Sequence, residues 1–524
     1  MRDRALRDRQ PAGRALEASF VNQGGQAFEG CGIEDVHQAC LSILKDINPA
    51  FQASDRLAPS AAMASDVNRH ACRVSVSPAA ASENLQERSM RVVVLGAGII
   101  GVSTAWHLME QGHEVTLVDR QADAAMETSF ANGAQISVSF CEPWANAAAP
   151  FKVAKWLLRD DSPLLFRPRL DPHQWRWGLS FLGQCSDAAF ERNVRQLVAL
   201  GRYSHQSLKT LVAATGIEYH RLERGILHFF SSQADMDAGA EAARLMREFG
   251  VDRRILDRAE VLAVEPALAS CADRLVGGTY TPSDESGDAC VFTQALARRC
   301  AERGLVTHFR HDVHSLDVRG GRVHGVVVRS QHDARRITVA ADSVVVALGS
   351  FTAPLLRQVG VNLNIYPAKG YSATFKLRHP ERASTVSMID DARKIAISRL
   401  GDTIRVAGTA ELAGYDASLE GATARVRCEA LRRRYEELFP GVADTTEPNF
   451  WAGLRPSTPT NIPYIGQTPI AGLWVNAGHG TLGWTHGAGS GRALAELISG
   501  GQPELDFGFY GVRRSAAGWR IAAA

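Results

Sequence analysis

Six residues near position 100, Gly96-Ala97-Gly98-Ile99-Ile100-Gly101, have the types and spacing to hold a diphosphate. The first glycine permits a tight turn, the second lets backbone approach a pyrophosphate, and the third lets a helix pack hard on a strand. The motif follows the β-branched run Val92-Val93-Val94-Leu95 and is extended by Ala105, Leu108, Gly112 and Val115. This pattern places Ala105 and Leu108 on the sheet side of a helix that Gly112 ends, and a second strand, Glu114 to Val118, closes on Asp119. A carboxylate about twenty residues beyond the turn accepts hydrogen bonds from a ribose and disfavours a 2′-phosphate there. A ligand-free glycine turn is the bland alternative, and it would weaken helix and strand for nothing. NAD and FAD both fit at this point, because both lay an ADP moiety on such a turn.

Two later segments bear on that choice. Val344-Val345-Val346-Ala347-Leu348-Gly349-Ser350 is an apolar run with a small, polar finish, suited to a second strand touching a dinucleotide or to any buried parallel strand. Asn476-Ala477-Gly478-His479-Gly480-Thr481-Leu482-Gly483-Trp484-Thr485 precedes a helical pattern at Ala493 to Ile498. Glycines so dense before a helix imply backbone pressed against something, and a helix N-terminus there suits the negative charge of a reduced flavin ring.

The elements that must position these residues follow from pattern and length. A chain of 524 residues exceeds what one core usually serves, so at least two folding units are expected. Charges of 58 Lys+Arg against 56 Asp+Glu leave +2, which gives no basic surface for nucleic acid. The nine cysteines are scattered with no C-x-x-C pair, which predicts reduced thiols, no metal site and a cytoplasmic protein. The first 89 residues are rich in Ala, Ser, Arg, Gln and Asn and read as an N-terminal extension. Met90 directly precedes the first strand, so a flexible tail and a mis-assigned start are both open. Val92 to Met109 has the length of a membrane span, but its glycines at turn spacing favour a buried strand and helix. Helical pattern at Val291 to Arg303 alternates with β-rich stretches at Leu305–Phe309, Val313–Val328 and Ile337–Leu348, the signature of a doubly wound α/β core. Phe151 to Met246 reads as mostly helical and Ile365 to Gly408 as strands.

From Met90 to about Tyr510 the sequence resembles the glycine oxidase and D-amino acid oxidase superfamily of flavoproteins, and within it the bacterial D-amino acid dehydrogenases. The likeness rests on Gly96 to Gly101 with Asp119, on Glu127-Thr128-Ser129-Phe130-Ala131-Asn132-Gly133-Ala134-Gln135-Ile136-Ser137, and on Pro367-Ala368-Lys369-Gly370-Tyr371-Ser372. It is completed by Trp451-Ala452-Gly453-Leu454-Arg455-Pro456 and Gly478 to Thr485. Two departures stand out: Asn132-Gly133-Ala134 where the family more often has Asn-Ala-Gly, and Asn461-Ile462-Pro463 where Asp-Gly is common after Thr-Pro.

The resemblance implies a Rossmann-like FAD-binding domain with an inserted α+β substrate domain on an antiparallel sheet. The expected division is 90–145, 291–358 and 452–512 for FAD, 146–290 and 359–451 for substrate, and a tail at 513–524. Non-covalent FAD would be held by Val94, Leu95, Gly96, Ala97, Gly98, Ile99, Ile100, Gly101, Asp119, Arg120, Thr128, Ser129, Asn132, Gly133 and Gln135. Val313, Ala347, Gly349, Gly478, His479, Gly480, Thr481, Leu482 and Gly483 would complete that set. The implied activity is oxidative deamination of D-amino acids, D-alanine foremost, to 2-oxo acids and ammonia. Electrons would go to a quinone of the respiratory chain. The alternative is a glycine or sarcosine oxidase of the same superfamily using dioxygen.

An amino acid carries a carboxylate that must be neutralised before its Cα–H can be aimed, and a guanidinium does this with fixed geometry. Arg455, set between Gly453-Leu454 and Pro456, matches the family's carboxylate-binding arginine, and a surface arginine paired with an acid is the bland alternative. Tyr371 is expected to offer a hydroxyl near substrate or else to pack in a core. Hydride transfer from Cα needs little protein acid–base chemistry, so no catalytic histidine is nominated and His479 is assigned a backbone role. Lys152, Lys155 and Arg159 form a basic face that suits either peripheral contact with the inner membrane or a solvated helix surface. Trp175 and Trp177 read as packing residues.

Overall fold

The computed structural model describes residues 89–151, 163–505, 512–515 and 518–521. Two sheets dominate the described part. The first has six strands: β1 (Arg91–Leu95), β2 (Glu114–Val118), β3 (Val306–His308), β4 (Ser343–Val346), β5 (Tyr464–Gln467) and β6 (Leu473–Ala477). Their order is β5-β6-β4-β1-β2-β3, parallel throughout except for the β5–β6 pair. Both faces are covered, which is why β1 and β4 are near-continuous valine runs with almost no exposure. The chain leaves β1 toward β2 on one side while β4 lies on the other, so the order reverses beside β1. Ligands of open α/β sheets bind in the crevice at the carboxyl ends of the strands at such a point.

Five helices matter to the site: α1 (Ile99–Glu110), α2 (Asp187–Thr215), α3 (Ala289–Glu302), α4 (Ala422–Leu438) and α5 (Gly483–Ile498). Ala105 and Leu108 of α1 are fully buried, as their spacing predicts. The last helix begins ten residues before the Ala493 that the sequence pattern suggested. Its glycines belong to the helix because of what it packs against. A Cβ at Gly487 would lie 2.9 Å from Ile99 Cγ1, one at Gly489 2.5 Å from Ser204 Cα, and one at Gly491 2.8 Å from the carbonyl carbon of Ser103. Close approach to α1 and α2 thus outweighs the helix propensity that glycine forfeits.

The second sheet runs Ala443–Ser457, Tyr366–Leu377, Thr403–Leu412, Ile395–Leu400, Ser387–Asp390, Ile226–Phe230, Gly277–Thr281 and Arg254–Asp257, with Leu164–Phe166 added beside Thr403–Leu412. Its pairings are antiparallel apart from Ser387–Asp390 with Ile226–Phe230 and Thr403–Leu412 with Leu164–Phe166. The described part of Phe151 to Met246 is mostly helical as expected, with helices Pro172–Leu182, Asp187–Thr215 and Gln233–Glu248, and strand Ile226–Phe230 interrupts it because a short apolar run does not reveal its state by periodicity. One face of this sheet packs on α4, with Tyr371, Ala373, Phe375 and Val406 against Cys428, Leu431 and Tyr435. Helix α2, expected with the substrate part, instead packs Leu200, Leu208 and Leu211 into the core of the first sheet. The basic stretch Lys152 to Arg159 lies outside the described residues.

Candidate active site

The turn after β1 forms as its glycines require. Gly96 takes φ +102° and its N–H donates to Val118 O at 2.8 Å. A Cβ there would lie 2.5 Å from Ala347 O, and one at Gly101 would meet Gly96 O at 1.8 Å. Helix α1 opens with no side-chain cap on Gly98, and Ser129 Oγ accepts from Ile99 N at 3.1 Å. The following amides have no partner within the helix, so the positive end of its dipole is available to an anion. Asp119 accepts from Ala97 N at 2.7 Å and Gln121 N at 2.8 Å, which fixes its carboxylate beside the turn. Burial pushes its pKa above the ordinary aspartate value.

A cavity of about 1480 Å³ is lined both by this turn and by the bare face of the second sheet. That volume exceeds the few hundred to about 1,000 Å³ of ordinary small-molecule sites, and suits a dinucleotide together with a substrate. Its lining includes Gly96, Gly98, Ile99, Ile100, Asp119, Arg120, Thr128, Ser129, Asn132, Gly133 and Gln135. Val313, Ala347, Gly349, His479, Gly480, Thr481, Leu482 and Gly483 line it as well, as do Tyr371 and Arg455. Val94, Leu95, Ala97, Gly101 and Gly478 do not line it. Val94 and Leu95 lie inside β1, Ala97 and Gly101 shape the turn, and Gly478, at φ +89°, sits against Thr458.

Several expected cofactor residues spend their side chains on the protein. Arg120 forks onto Glu127 at 2.5 and 2.9 Å and lies 4.1 Å over the Phe351 ring. Thr128 Oγ1 donates to Leu454 O at 3.0 Å, as does Ser350 Oγ, so two hydroxyls anchor the strand next to Arg455. Gln135 donates to Ser387 Oγ and Met388 O, tying the loop to the second sheet. Asn132 Oδ1 accepts from Ala134 N at 2.9 Å. The Asn-Gly-Ala departure has a structural counterpart. Ala134 holds φ +58°, while Gly133 leaves room for Ala396, whose Cβ a side chain there would approach to 3.3 Å.

On the cavity face of the second sheet Arg455 and Trp451 stand among small residues. Ala368 pairs with Arg455, Gly370 with Gly453 and Ser372 with Trp451. The guanidinium lies over Gly370, where a Cβ would stand 2.2 Å from its Cζ. Arg455 donates to Thr409 O at 2.8 Å, and among the described residues no carboxylate pairs with it. Burial, and then the nearby Arg427, pull its pKa down to about 10, which leaves it charged at neutral pH. A half-buried guanidinium on a cavity wall with no carboxylate partner among the described residues calls for an anion.

Tyr371 faces the other way. Strand alternation turns it from Gly370 and Arg455 toward α4, and its hydroxyl donates to Glu411 Oε2 at 2.6 Å. Its ring is 1% exposed, and burial with Glu411 drives its pKa up. Tyr371 borders the cavity, but its hydroxyl is engaged by Glu411 and its ring packs on α4, so of the two expectations core packing is the one this arrangement fits. His479 is 2% exposed, and neither ring nitrogen makes a hydrogen bond among the described residues. Burial and the neighbouring His486 keep it neutral by holding its pKa far below the imidazole range, and its backbone bridges Ser457. Trp451, singled out in the sequence only as part of a resemblance block, also lines the cavity, as do Phe230, Lys394 and Thr409, which carried no recognisable sequence signal.

A glycine turn and an uncapped helix N-terminus at the switch point of a parallel sheet, joined by one cavity to a second sheet bearing a charged arginine, are the layout of a two-sheet dinucleotide-dependent oxidoreductase. The model of the FAD dependent oxidoreductase family matches residues 91–497, and the chain belongs to that family. A D-amino acid dehydrogenase of Dechloromonas aromatica is 50% identical over 421 residues, covering 80% of this chain and 99% of that protein. A D-amino acid dehydrogenase of Cereibacter sphaeroides is 44% identical, covering 82% and 96%. Glycine oxidase from Bacillus cereus superposes with a TM-score of 0.60 at 22% identity, covering 79% and 96%, and so shares the fold.

Proposed function

We propose that the chain is an FAD-dependent D-amino acid dehydrogenase, with D-alanine its main substrate. The reaction takes a D-amino acid, water and an oxidised acceptor to a 2-oxo acid, ammonia and the reduced acceptor. The single observation that carries this reading is Arg455, a cavity-lining guanidinium with no acidic partner among the described residues. It is what a free α-carboxylate requires. The names of the two relatives supply the amino-acid class and its hand.

The residues fit the cofactor. Gly96, Gly98, Ile99 and Ile100 present close backbone and a helix N-terminus to the diphosphate, and Asp119 presents a carboxylate to the ribose. Segments 128–135 and 479–483 line the same cavity. When bound, FAD supplies the two-electron acceptor for the hydride that leaves the substrate Cα. The chain's own contribution is placement. Arg455 fixes the carboxylate, and with it the direction of the Cα–H bond. Gly370 and Gly453 leave room on the cavity wall for the Arg455 guanidinium and the Trp451 ring that lie over them. No histidine is required for the proton, because a substrate whose ammonium has lost its proton to water before binding leaves, on loss of hydride, an iminium that water then hydrolyses to the 2-oxo acid and ammonium. In this reading the first sheet belongs to the FAD domain and the second to the substrate domain.

Electrons then pass to a quinone-type acceptor, with peripheral contact at the cytoplasmic face of the inner membrane. Exposed Phe151, Leu170, Trp175, Leu179 and Leu182 support such contact, with Trp175, Leu179 and Leu182 at one-face spacing on a helix. No helix among the described residues is long and apolar enough to cross a membrane. The test is product analysis. Purified protein with D-alanine and a quinone analogue should yield pyruvate and ammonia with little peroxide. Peroxide formed in step with pyruvate in air would make it an oxidase, and no product would remove the reading.

A further inference from the structure

The strand that carries Thr409 breaks its ladder beside Arg455. Opposite Thr403–Leu412, Lys369 pairs with Glu411 and Tyr371 with Gly408, so Thr409 and Ala410 together oppose the single residue Gly370. This is a β-bulge, a device that re-aims a side chain next to a functional site. Thr409 takes φ +57°. A β-branched residue in the left-handed region is a true outlier, and such strain persists where the surroundings over-determine it.

Three further observations meet on this residue. Its carbonyl accepts from Arg455 Nη1 at 2.8 Å. Its hydroxyl is buried and makes no hydrogen bond among the described residues. It lines the cavity into which the guanidinium is set. Covalent geometry keeps Oγ1 within a few bonds of the carbonyl that holds Arg455, so the two donors occupy one neighbourhood. A buried hydroxyl without a partner is costly, and a ligand acceptor at that place removes the cost.

We infer that Thr409 is a second substrate-binding residue, whose hydroxyl donates a hydrogen bond to the carboxylate held by Arg455. The bulge turns the hydroxyl into the cavity, and the left-handed backbone is the strain accepted for that aim. This rests on Arg455 being the carboxylate site. It adds a specificity element: the anion is read by a charged fork and a neutral donor together, which favours a planar carboxylate over a compact anion.

The test uses FAD-loaded protein and propionate, a carboxylate without an amine, with binding read from the perturbed flavin spectrum and stability from thermal melting. Loss of a hydrogen bond to a charged group is expected to weaken propionate on the order of tenfold or more in Thr409→Ala and Thr409→Val. Thr409→Ser, which keeps the hydroxyl, should bind within about threefold of the parent. Thr409→Gly should lose affinity like Thr409→Ala yet melt no lower, because glycine accepts the left-handed backbone. Unchanged propionate binding in Thr409→Ala, together with lost binding in Arg455→Ala, would overturn the role of Thr409 alone. Equal weakening in the Ser and Ala variants would replace the hydrogen bond by a shape effect and also overturn it. Retained binding in Arg455→Ala would instead remove the carboxylate site on which it rests.

Discussion

Gly370→Ala isolates Arg455 without touching it. Gly370 lies on the strand that faces the guanidinium and is not in the positive-φ region, so alanine costs nothing in backbone conformation. In a strand interior it should gain about 0.5–1 kcal/mol over glycine. Its Cβ, however, would stand 2.2 Å from Arg455 Cζ and Nη1, where ordinary contact begins near 3.4 Å. The guanidinium must therefore retreat by roughly 1.2 Å, the difference of those two distances. A shift of that size strains its bond to Thr409 O and spoils the fork it presents to a carboxylate. Losing one charge-assisted hydrogen bond is worth about 1.5–3 kcal/mol, or roughly tenfold to 150-fold in kcat/KM. Steady-state kinetics on D-alanine with a quinone analogue, flavin content by absorbance, and melting temperature should be measured on one preparation. Expected is a fall in kcat/KM carried mainly by KM, with full flavin content and an unchanged or higher Tm. A variant with parental kcat/KM and parental Tm would refute the placement of substrate under Arg455.

Other consequences are as sharp. Gly96→Ala puts a Cβ 2.5 Å from the rigid backbone oxygen of Ala347 at φ +102°, so the soluble protein should retain roughly a tenth or less of its flavin by absorbance. Ala134→Gly relieves an L-residue at φ +58°, and relief less the added unfolded-state freedom leaves a gain of about 0.5–1 kcal/mol by denaturant titration. Acid stability has a defined sign. Burial, then Arg253, depress the His228 pKa to about 4, and burial depresses that of His486 to about 3. Both sit below the unfolded value near 6.5, so the unfolded chain binds more protons and stability declines as pH falls from about 6.5 toward those folded values. His228→Asn should flatten part of that decline in Tm measured between pH 7.5 and 4.5, and an unaltered slope would exclude His228 as a contributor.

What could be read from residues alone was what local conformation dictates. The turn at Gly96 depends on φ and on the strand before it, both written in neighbouring residues, and Asp119 follows at the distance one βαβ step requires. Arg455 was recognisable because its block resembles the family's and it stands where that family has its carboxylate-binding arginine; it lies within the strand Ala443–Ser457. Tyr371 was not, because the side a strand residue faces depends on its register with another strand, here Ala368 opposite Arg455. Thr409 was hidden for a related reason, since a bulge exists only relative to the partner it slips against. The start of α5 was misread because Gly487, Gly489 and Gly491 look like a loop until α1 and α2 are seen pressed against them. The buried strand Ile226–Phe230 carries no period that separates it from a helix.

Anaerobic titration of the FAD-loaded protein with the two alanine enantiomers tests the central claim most directly, because it reads the cofactor, the substrate and their encounter in one spectrum. D-alanine should abolish the visible flavin absorbance while L-alanine leaves it intact. Flavin that stays yellow under D-alanine, or bleaches equally with both, would contradict the account.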